Sequence, residues 1–312
     1  MDKSIYLLTP CLNAATTIDR TIWAIVSQQG HGSIRYHVQD GGSTDGTLEI
    51  LARWEEKIRA LRNELPMCIH FTYTSERDTG MYDAINRGFR YMNIPPNAIM
   101  GWCNSDDTIW QGTIEFLTKI DSQFPEIDWL TGWPTAFDAQ GRLTWLEHHP
   151  FFPQQILAAG LADGPHWAHL QQESTFWRKR LWDENGGVDD QFKLAGDWDL
   201  WRRFAQSSEL IHVDRQIGSF HFRPGQKSSD INSYQNECEK MVPTLERYAI
   251  FRRLLNANSD IGIKSLEVTN SGELRLKTNN FRLSWIDKIK VVLWPRKYLL
   301  RRLGRWRRLA RK

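Results

Sequence analysis

An α/β fold, in which helices flank a mainly parallel sheet, is the class this sequence predicts. Two observations carry that expectation. Apolar runs of strand length recur at Ile5–Cys11, Ile34–Val38, Cys68–Tyr73 and Ile99–Cys103. Between them, apolar residues fall at helical spacing, and strands alternating with amphipathic helices read as βαβ units. A chain of 312 residues, 41% hydrophobic and 25% charged, has a globular composition and room for one large domain with additions.

The elements follow in order. The first helix presents Ile18, Ile22, Ile25 and Val26 on one face, the second Leu48, Leu51, Ala52 and Ile58, and the third Ala84, Ile85, Phe89 and Met92. Such stripes let a helix cover one side of a sheet. After Ile109 the alternation changes. Trp129–Phe137 and Leu143–His149 read as strands joined by the turn DAQGR. Phe151–Gly164 reads as loop with a short helix. QQESTFWRKRLWDENGG reads as strand or loop, then a short helix stopped by Gly186 and Gly187. GDWDLWRRFAQ opens another helix, Leu210–Phe222 is strand-like, and Asn232–Asn256 is helical. SLEVTNSGELRLKT alternates around NSG and reads as a hairpin.

Composition narrows the class. Cys11, Cys68, Cys103 and Cys238 lack metal or disulfide spacing, and three of them sit in apolar runs as small core residues. A reducing compartment is expected. No apolar segment approaches the roughly 20 residues that span a bilayer, and no secretory signal pattern is visible. Fifteen tryptophans suit either a large core or a concave site for ring-shaped ligands. The segment Arg296–Lys312 carries nine basic residues and no acid, so the net +3 of the chain leaves −6 for the remainder. Its helical spacing puts Leu299, Leu303, Trp306 and Ala310 on one face. A basic amphipathic segment of this kind fits an anionic membrane surface better than nucleic acid.

In parallel sheets, ligands bind at the carboxyl ends of the strands. Here those ends read TPCLN, QDGGSTDGT, TSERDTGMYD and NSDD. Asp40, Asp78, Asp83, Asp106 and Asp107 would gather along that edge, more acids than helix capping explains. DGGSTDGT lacks both G-x-G-x-x-G and the lysine of a P-loop. Ser43, Thr44 or Asp45 can cap the next helix, which leaves Asp40 free to meet a nucleobase N–H or a ribose hydroxyl. NSDD reads either as a capping turn or as a site for Mg²⁺ or Mn²⁺, which take oxygen ligands. No Cys/His cluster offers a zinc site. Asp197, at a helix start beside Trp198 and Trp201, is a cap or a general base whose pKa apolar walls would raise. His221 and Arg223 precede Gly225, Gln226 and Lys227, a stretch suited to a satisfied turn or to a lid.

Taken in order, TPCLN, DGGSTDGT, SERDTGMYDAINRG, NSDD, QQESTFWRKRLW and GDWDLWRRF resemble a family 2 glycosyltransferase, close to the bacterial polysaccharide and colanic-acid-type group, over roughly Ser4–Ser228. The resemblance implies a GT-A fold with a Rossmann-like sheet. It implies a transferase domain over 1–228, divided near 110 into nucleotide-binding and acceptor halves. A helix-and-hairpin extension over 229–284 and the basic tail over 285–312 follow. It implies an inverting enzyme that takes a UDP-, GDP- or dTDP-sugar and a saccharide or lipid-linked saccharide acceptor. The expected location is cytoplasmic, peripheral at the inner face of the cell membrane. Thr9, Pro10, Asn13, Asp40, Asp78, Asp83 and Asp106 match its donor-binding positions, with Asp40 toward the base. Asp107 matches the direct ligand of Mn²⁺ or Mg²⁺, His221 can join it, and Asp197 matches the general base. Two positions depart from the pattern. Asn104 replaces the first acid of D-x-D, and Gly196 replaces the Glu of Glu-Asp, leaving Asp197 as the only base in that motif. A nucleotidyltransferase would need a phosphate loop that TPCLNAATT lacks. A carbohydrate-binding protein on the same fold would not need Asp107 and Asp197.

Overall fold

A computed structural model of the chain describes residues 4–146, 151–226, 228, 230–256, 261–269 and 272–281. The basic tail over 285–312 and the expected lid residue Lys227 lie outside the described residues. The four expected strands are β1 (Ser4–Cys11), β2 (Ser33–Asp40), β3 (Cys68–Ser75) and β4 (Ile99–Trp102). The helices between them are α1 (Ile18–Val26), α2 (Thr47–Ala60) and α3 (Met81–Tyr91). The expected cap of α2 is displaced by one residue: Gly46, with φ 94°, stands at the cap. Asp45 still accepts from the Thr47 N–H at 3.1 Å and from its hydroxyl at 2.6 Å. NSDD caps no helix. It turns into β5 (Thr108–Ile109), and α4 (Thr113–Gln123) starts only after Gly112.

Three long stretches are divided. Trp129–Phe137 breaks at Pro134 into β6 (Trp129–Trp133) and β7 (Thr135–Phe137), which join different sheets. Proline has no N–H for a ladder. After β8 (Leu143–Leu146) come α5 (Gln154–Ala158), β9 (Thr175–Arg178), α6 (Lys179–Glu184) and α7 (Gly196–Ser207). Leu210–Phe222 divides into β10 (Ile211–Gln216) and β11 (Gly218–His221). Asn232–Asn256 divides at Pro243 into α8 (Ile231–Met241) and α9 (Thr244–Asn256). The hairpin is β12 (Ile261–Val268) and β13 (Leu274–Phe281).

The main sheet has nine strands in the order β13-β12-β10-β6-β9-β4-β1-β2-β3. Most pairs are parallel, while β9 runs against both β4 and β6 and β13 runs against β12. Because β12 lies beside β10, the hairpin extends this sheet past residue 228. A second sheet, β5-β11-β7-β8, sits at its edge. From β1 the chain goes outward to β2 and β3, then returns to β4 on the other side of β1. That reversal is a topological switch point, and it opens a crevice at the carboxyl ends of β1 and β4.

Both faces of the sheet are covered, which explains strands that are apolar on both sides. Ile5 and Leu7 of β1 face a core with Ile18, Ile22, Ile25 and Leu51. Tyr6 and Leu8 face a second core with Tyr82, Ile85 and Phe89. Trp102, Trp129, Trp177, Trp182, Trp198 and Trp201 all lie buried in this second core, so these tryptophans pack the protein rather than line a ligand site. Trp102 meets Trp177 edge-on at 5.2 Å and stacks on Trp201 at 6.0 Å. No helix among the described residues is long and apolar enough to cross a membrane. Trp102 is 1% exposed, so Trp102→Ala should leave a cavity and cost about 3–5 kcal/mol in a urea melt.

Candidate active site at the switch point

The turn after β2 is built around Asp40. Its Oδ2 accepts from the Gly42 N–H at 3.0 Å, the Ser43 N–H at 2.9 Å and the Ser75 hydroxyl at 2.6 Å, while Oδ1 accepts from the Ser43 hydroxyl. Burial alone would raise its pKa, but these hydrogen bonds outweigh it and hold the carboxyl below its ordinary value. Asp40 is 0% exposed, so in this arrangement its carboxylate shapes the turn from within. Asn13, with φ 51°, ties β1 to the same turn by accepting from the Thr44 N–H at 3.0 Å. Pro10 is buried at the end of β1, and the Thr9 hydroxyl accepts from Tyr36 at 3.0 Å. Asp83 accepts from Thr79 and pairs with Arg87 at 2.8 Å, which organises the start of α3. Asp78 accepts from the Gly80 N–H and lies against Gly41 where a Cβ would stand, so that glycine makes room for its carboxylate.

The neighbours Asp106 and Asp107 have opposite surroundings. Arg20 donates to the Asp106 carbonyl at 2.6 Å, and the Thr21 hydroxyl to the Asp107 carbonyl at 2.7 Å, so α1 fixes the turn's backbone. The Asp106 carboxylate faces outward to Arg223 at 2.5 Å and Gln226 at 3.0 Å. The Asp107 carboxylate faces inward, 1% exposed. It accepts from the His221 N–H at 2.9 Å and the Asn104 amide at 3.0 Å. Burial, and then the Asp106 charge, push its pKa up. The His221 ring stacks on Phe137 with centroids 5.0 Å apart, and its Nε2 meets the Thr108 hydroxyl at 2.9 Å. Its Nδ1 is buried and has no hydrogen-bond partner among the described residues. Burial, together with the Arg20 charge, lowers its pKa to about 4, so the ring is neutral at pH 7.

Asp107 and His221 are the two side chains here that a divalent cation could meet. Asp107 is a buried carboxylate short of positive charge, and a neutral imidazole nitrogen nearby has nothing to bond among the described residues. Among the described residues no group of three or more His, Cys, Asp or Glu side chains could hold a metal ion. With two protein donors, the remaining positions around a cation would fall to waters and substrate phosphates, as Mg²⁺ and Mn²⁺ accept. Two donors do not suit zinc, which takes three or four protein ligands.

Asp197 opens α7 and is half-buried. Burial raises its pKa to about 6, against the pull of the hydrogen bonds it accepts. Tyr82 shares its hydroxyl hydrogen between the Leu194 carbonyl at 2.9 Å and Asp197 Oδ1 at 3.4 Å, and accepts from the Gly196 N–H at 3.0 Å. A Cβ on Gly196 would come within 2.7 Å of the Tyr82 ring. The missing Glu of the Glu-Asp pattern thus has a steric reason. Glu237 of α8 closes the loop before α7 by accepting from the N–H groups of Lys193, Leu194 and Ala195.

Sequence reasoning missed Arg20, Tyr82 and Glu173. Glu173 is 3% exposed, in a 3-10 turn spanning Gln172–Ser174. Burial, and then the Asp107 charge, raise its pKa well above the ordinary value. The one sequence signal for it was a Glu inside an otherwise apolar and hydroxyl-bearing stretch, ESTFW.

With this geometry in place, comparisons with known proteins converge. The model of Glycosyl transferase family 2 matches residues 6–180. S. aureus TarS 1–349 superposes with a TM-score of 0.52 at 15% identity, over 81% of this chain and 64% of that one. The same protein with UDP-GlcNAc gives 0.56 at 15% identity, over 81% and 72%. A mannosyltransferase, PcManGT from Pyrobaculum calidifontis, with GDP-Man and Mn²⁺, gives 0.50 at 15% identity, over 82% and 76%. This chain spans less than two thirds of the first of these. At such identity the likeness establishes the GT-A fold. No curated protein shows significant similarity to the chain.

The buried Asp107 makes a stability prediction. A carboxyl with a folded pKa above its unfolded value destabilises the fold increasingly as pH rises between the two. Asp107→Asn removes that charge, and the unpartnered Asn104 Oδ1 can turn to accept from the new amide. In EDTA, urea melts should show the variant more stable by about 1 kcal/mol or more at pH 8, with the advantage shrinking toward pH 5.

Proposed function

The chain belongs to glycosyl transferase family 2, and from that premise we propose that it is an inverting transferase. It moves a sugar from a UDP-, GDP- or dTDP-linked donor to a hydroxyl of a saccharide or lipid-linked saccharide, in bacterial surface polysaccharide synthesis. The observation that carries this reading is Asp197: half-buried, held by Tyr82, with a pKa of about 6. It is ionised at pH 7 yet basic enough to take a proton in the transition state. The two solved neighbours that hold UDP-GlcNAc and GDP-Man support a nucleotide-sugar donor.

In this mechanism the turns after β1 and β2 receive the nucleotide, and Asp40 keeps the second turn in shape. Arg20, whose guanidinium bonds the Asp106 carbonyl, is the cation this reading turns toward the leaving diphosphate. Arg223 is half-exposed and now bound to Asp106, and it can exchange that carboxylate for phosphate. Gly225, with φ 77°, lets the chain bend there. Asp107 and His221 would hold a divalent cation, which would supply charge neutralisation to the leaving group. Asp197 removes the proton of the acceptor hydroxyl as that oxygen attacks C1 on the face opposite the diphosphate. The C1–O(acceptor) bond forms, the C1–O(phosphate) bond breaks, and the anomeric centre inverts.

The test begins with UDP-, GDP- and dTDP-sugars in Mn²⁺, since a true donor raises the thermal midpoint by mass action. On that donor, Asp197→Asn should lose about 10²–10⁴-fold in turnover with little change in donor affinity. Wild-type kcat/KM should fall below about pH 6 as Asp197 protonates, and that limb should vanish in the variant. Near-normal turnover by Asp197→Asn overturns the mechanism.

The basic segment Arg296–Lys312 supports peripheral attachment at the inner face of the cell membrane. Anionic lipid attracts such a segment by about 1 kcal/mol per basic residue near the surface. Deleting 296–312 should reduce co-sedimentation with phosphatidylglycerol vesicles while leaving donor hydrolysis by water unchanged. Equal vesicle binding by both proteins overturns the attachment.

A further inference from the structure

Glu173 is a buried carboxyl for which the mechanism above has no use. Its turn is clamped from several sides. Gln172 donates to the Trp102 carbonyl at 2.6 Å, at the carboxyl end of β4. The Ser174 hydroxyl donates to the Gly218 carbonyl at 3.1 Å. The Glu173 carbonyl lies so close to Gly218 that any side chain there would run into it. A backbone held this firmly aims the side chain at one place. That side chain is 3% exposed, and its Oε1 has no hydrogen-bond partner among the described residues. No Lys or Arg pairs with it there. The charges that act on it most are those of Asp107, Asp197 and Asp106, and its turn is tied to the carboxyl end of β4, where the crevice opens. An unsatisfied acid among acids is costly to bury, and packing alone would favour an apolar residue.

What would satisfy it follows from the reaction, and the inference therefore rests on the transferase reading. An in-line displacement needs the sugar ring between the leaving diphosphate, near Asp107, and the base, Asp197. We propose that Glu173 reads the transferred sugar, its free Oε1 hydrogen-bonding a ring hydroxyl of the donor glycosyl group. The donor class is a hexopyranose hydroxylated at that position, and the analogue deoxygenated there is rejected. A carboxyl oxygen accepts from a sugar hydroxyl. A site built to bond a hydroxyl discriminates strongly against its loss, because the buried group is then left unpaired.

The test uses calorimetric titration of the full chain with the nucleotide sugar that stabilises it, with the matching nucleoside diphosphate, and with donors deoxygenated one position at a time. Wild type should lose about 10-fold or more in affinity at one deoxy position. Glu173→Ala should bind the complete donor about 10–100-fold more weakly and lose nothing further at that position. Glu173→Gln should recover part of the loss, and the nucleoside diphosphate should bind all three proteins equally. Both variants remove an unpaired buried acid, so thermal melts should show them folded. Equal weakening of nucleoside diphosphate and donor overturns the assignment, as does a Glu173→Ala protein with wild-type discrimination. A wild type indifferent to every deoxygenation overturns it without any variant. A wild type that binds no nucleotide sugar overturns the transferase reading itself, and the assignment with it.

Discussion

Asp107 and Glu173 are two acids buried at one sheet edge with no basic side chain bonded to either among the described residues, and much of the local structure answers to that constraint. Charge in a low-dielectric region is expensive unless compensated. The chain compensates only in part. Asp107 receives a backbone N–H and an amide, Asp197 backbone N–H groups and part of a tyrosine hydroxyl, and Glu173 Oε1 nothing among the described residues. What is left uncompensated is available to a ligand. The same lack of satisfaction that weakens the fold is what the proposed cation and sugar hydroxyl would relieve.

Holding such a site open requires a stiff surrounding. The switch point between β1 and β4 places the acids in a crevice, and the aromatic core beneath α7 keeps the crevice from relaxing. Trp201, in the same helix as Asp197, stacks between Trp102 of β4 and Trp129 of β6, with centroids 6.0 Å from each. A shift of α7 would therefore disturb two strands of the main sheet. Small residues complete the fit. Gly196 admits the Tyr82 ring, and Gly218 admits the carbonyl of Glu173. Each is a place where a methyl group would displace a group next to, or carrying, a buried carboxyl.

Asp106 and Asp107 divide one pair of charges into two tasks. Asp107 turns inward toward His221, and Asp106 turns outward to Arg223 and Gln226. Gln226 also donates to the His221 carbonyl at 2.6 Å. The segment over 221–226 is thus held by both acids, one through its backbone and one through its side chains. Displacing Arg223 from Asp106 by phosphate would leave the Asp107 contact intact, so the segment can respond to a ligand without losing its anchor.

The strands, the helical stripes and the acidic edge were legible in the amino-acid order because their signals are local. A period of two or of 3.6 shows within ten residues, and βαβ alternation then dictates which strand ends share an edge. NSDD and GDWDLW stood out as candidates because closely spaced acids beside apolar residues are locally costly. The proline breaks at Pro134 and Pro243 were equally visible, but not which sheet each half would join. Only the folded chain decided which carboxyls are satisfied. Asp40, locally the spare acid of its turn, is enclosed by donors that include Ser75 of a neighbouring strand. Glu173 carried almost no local signal, and Tyr82 reaches Asp197 across 115 positions of sequence. Burial and charge pairing depend on what packs around a group from every side. Spacing along the chain carries that information only where the neighbours in space are also neighbours in sequence.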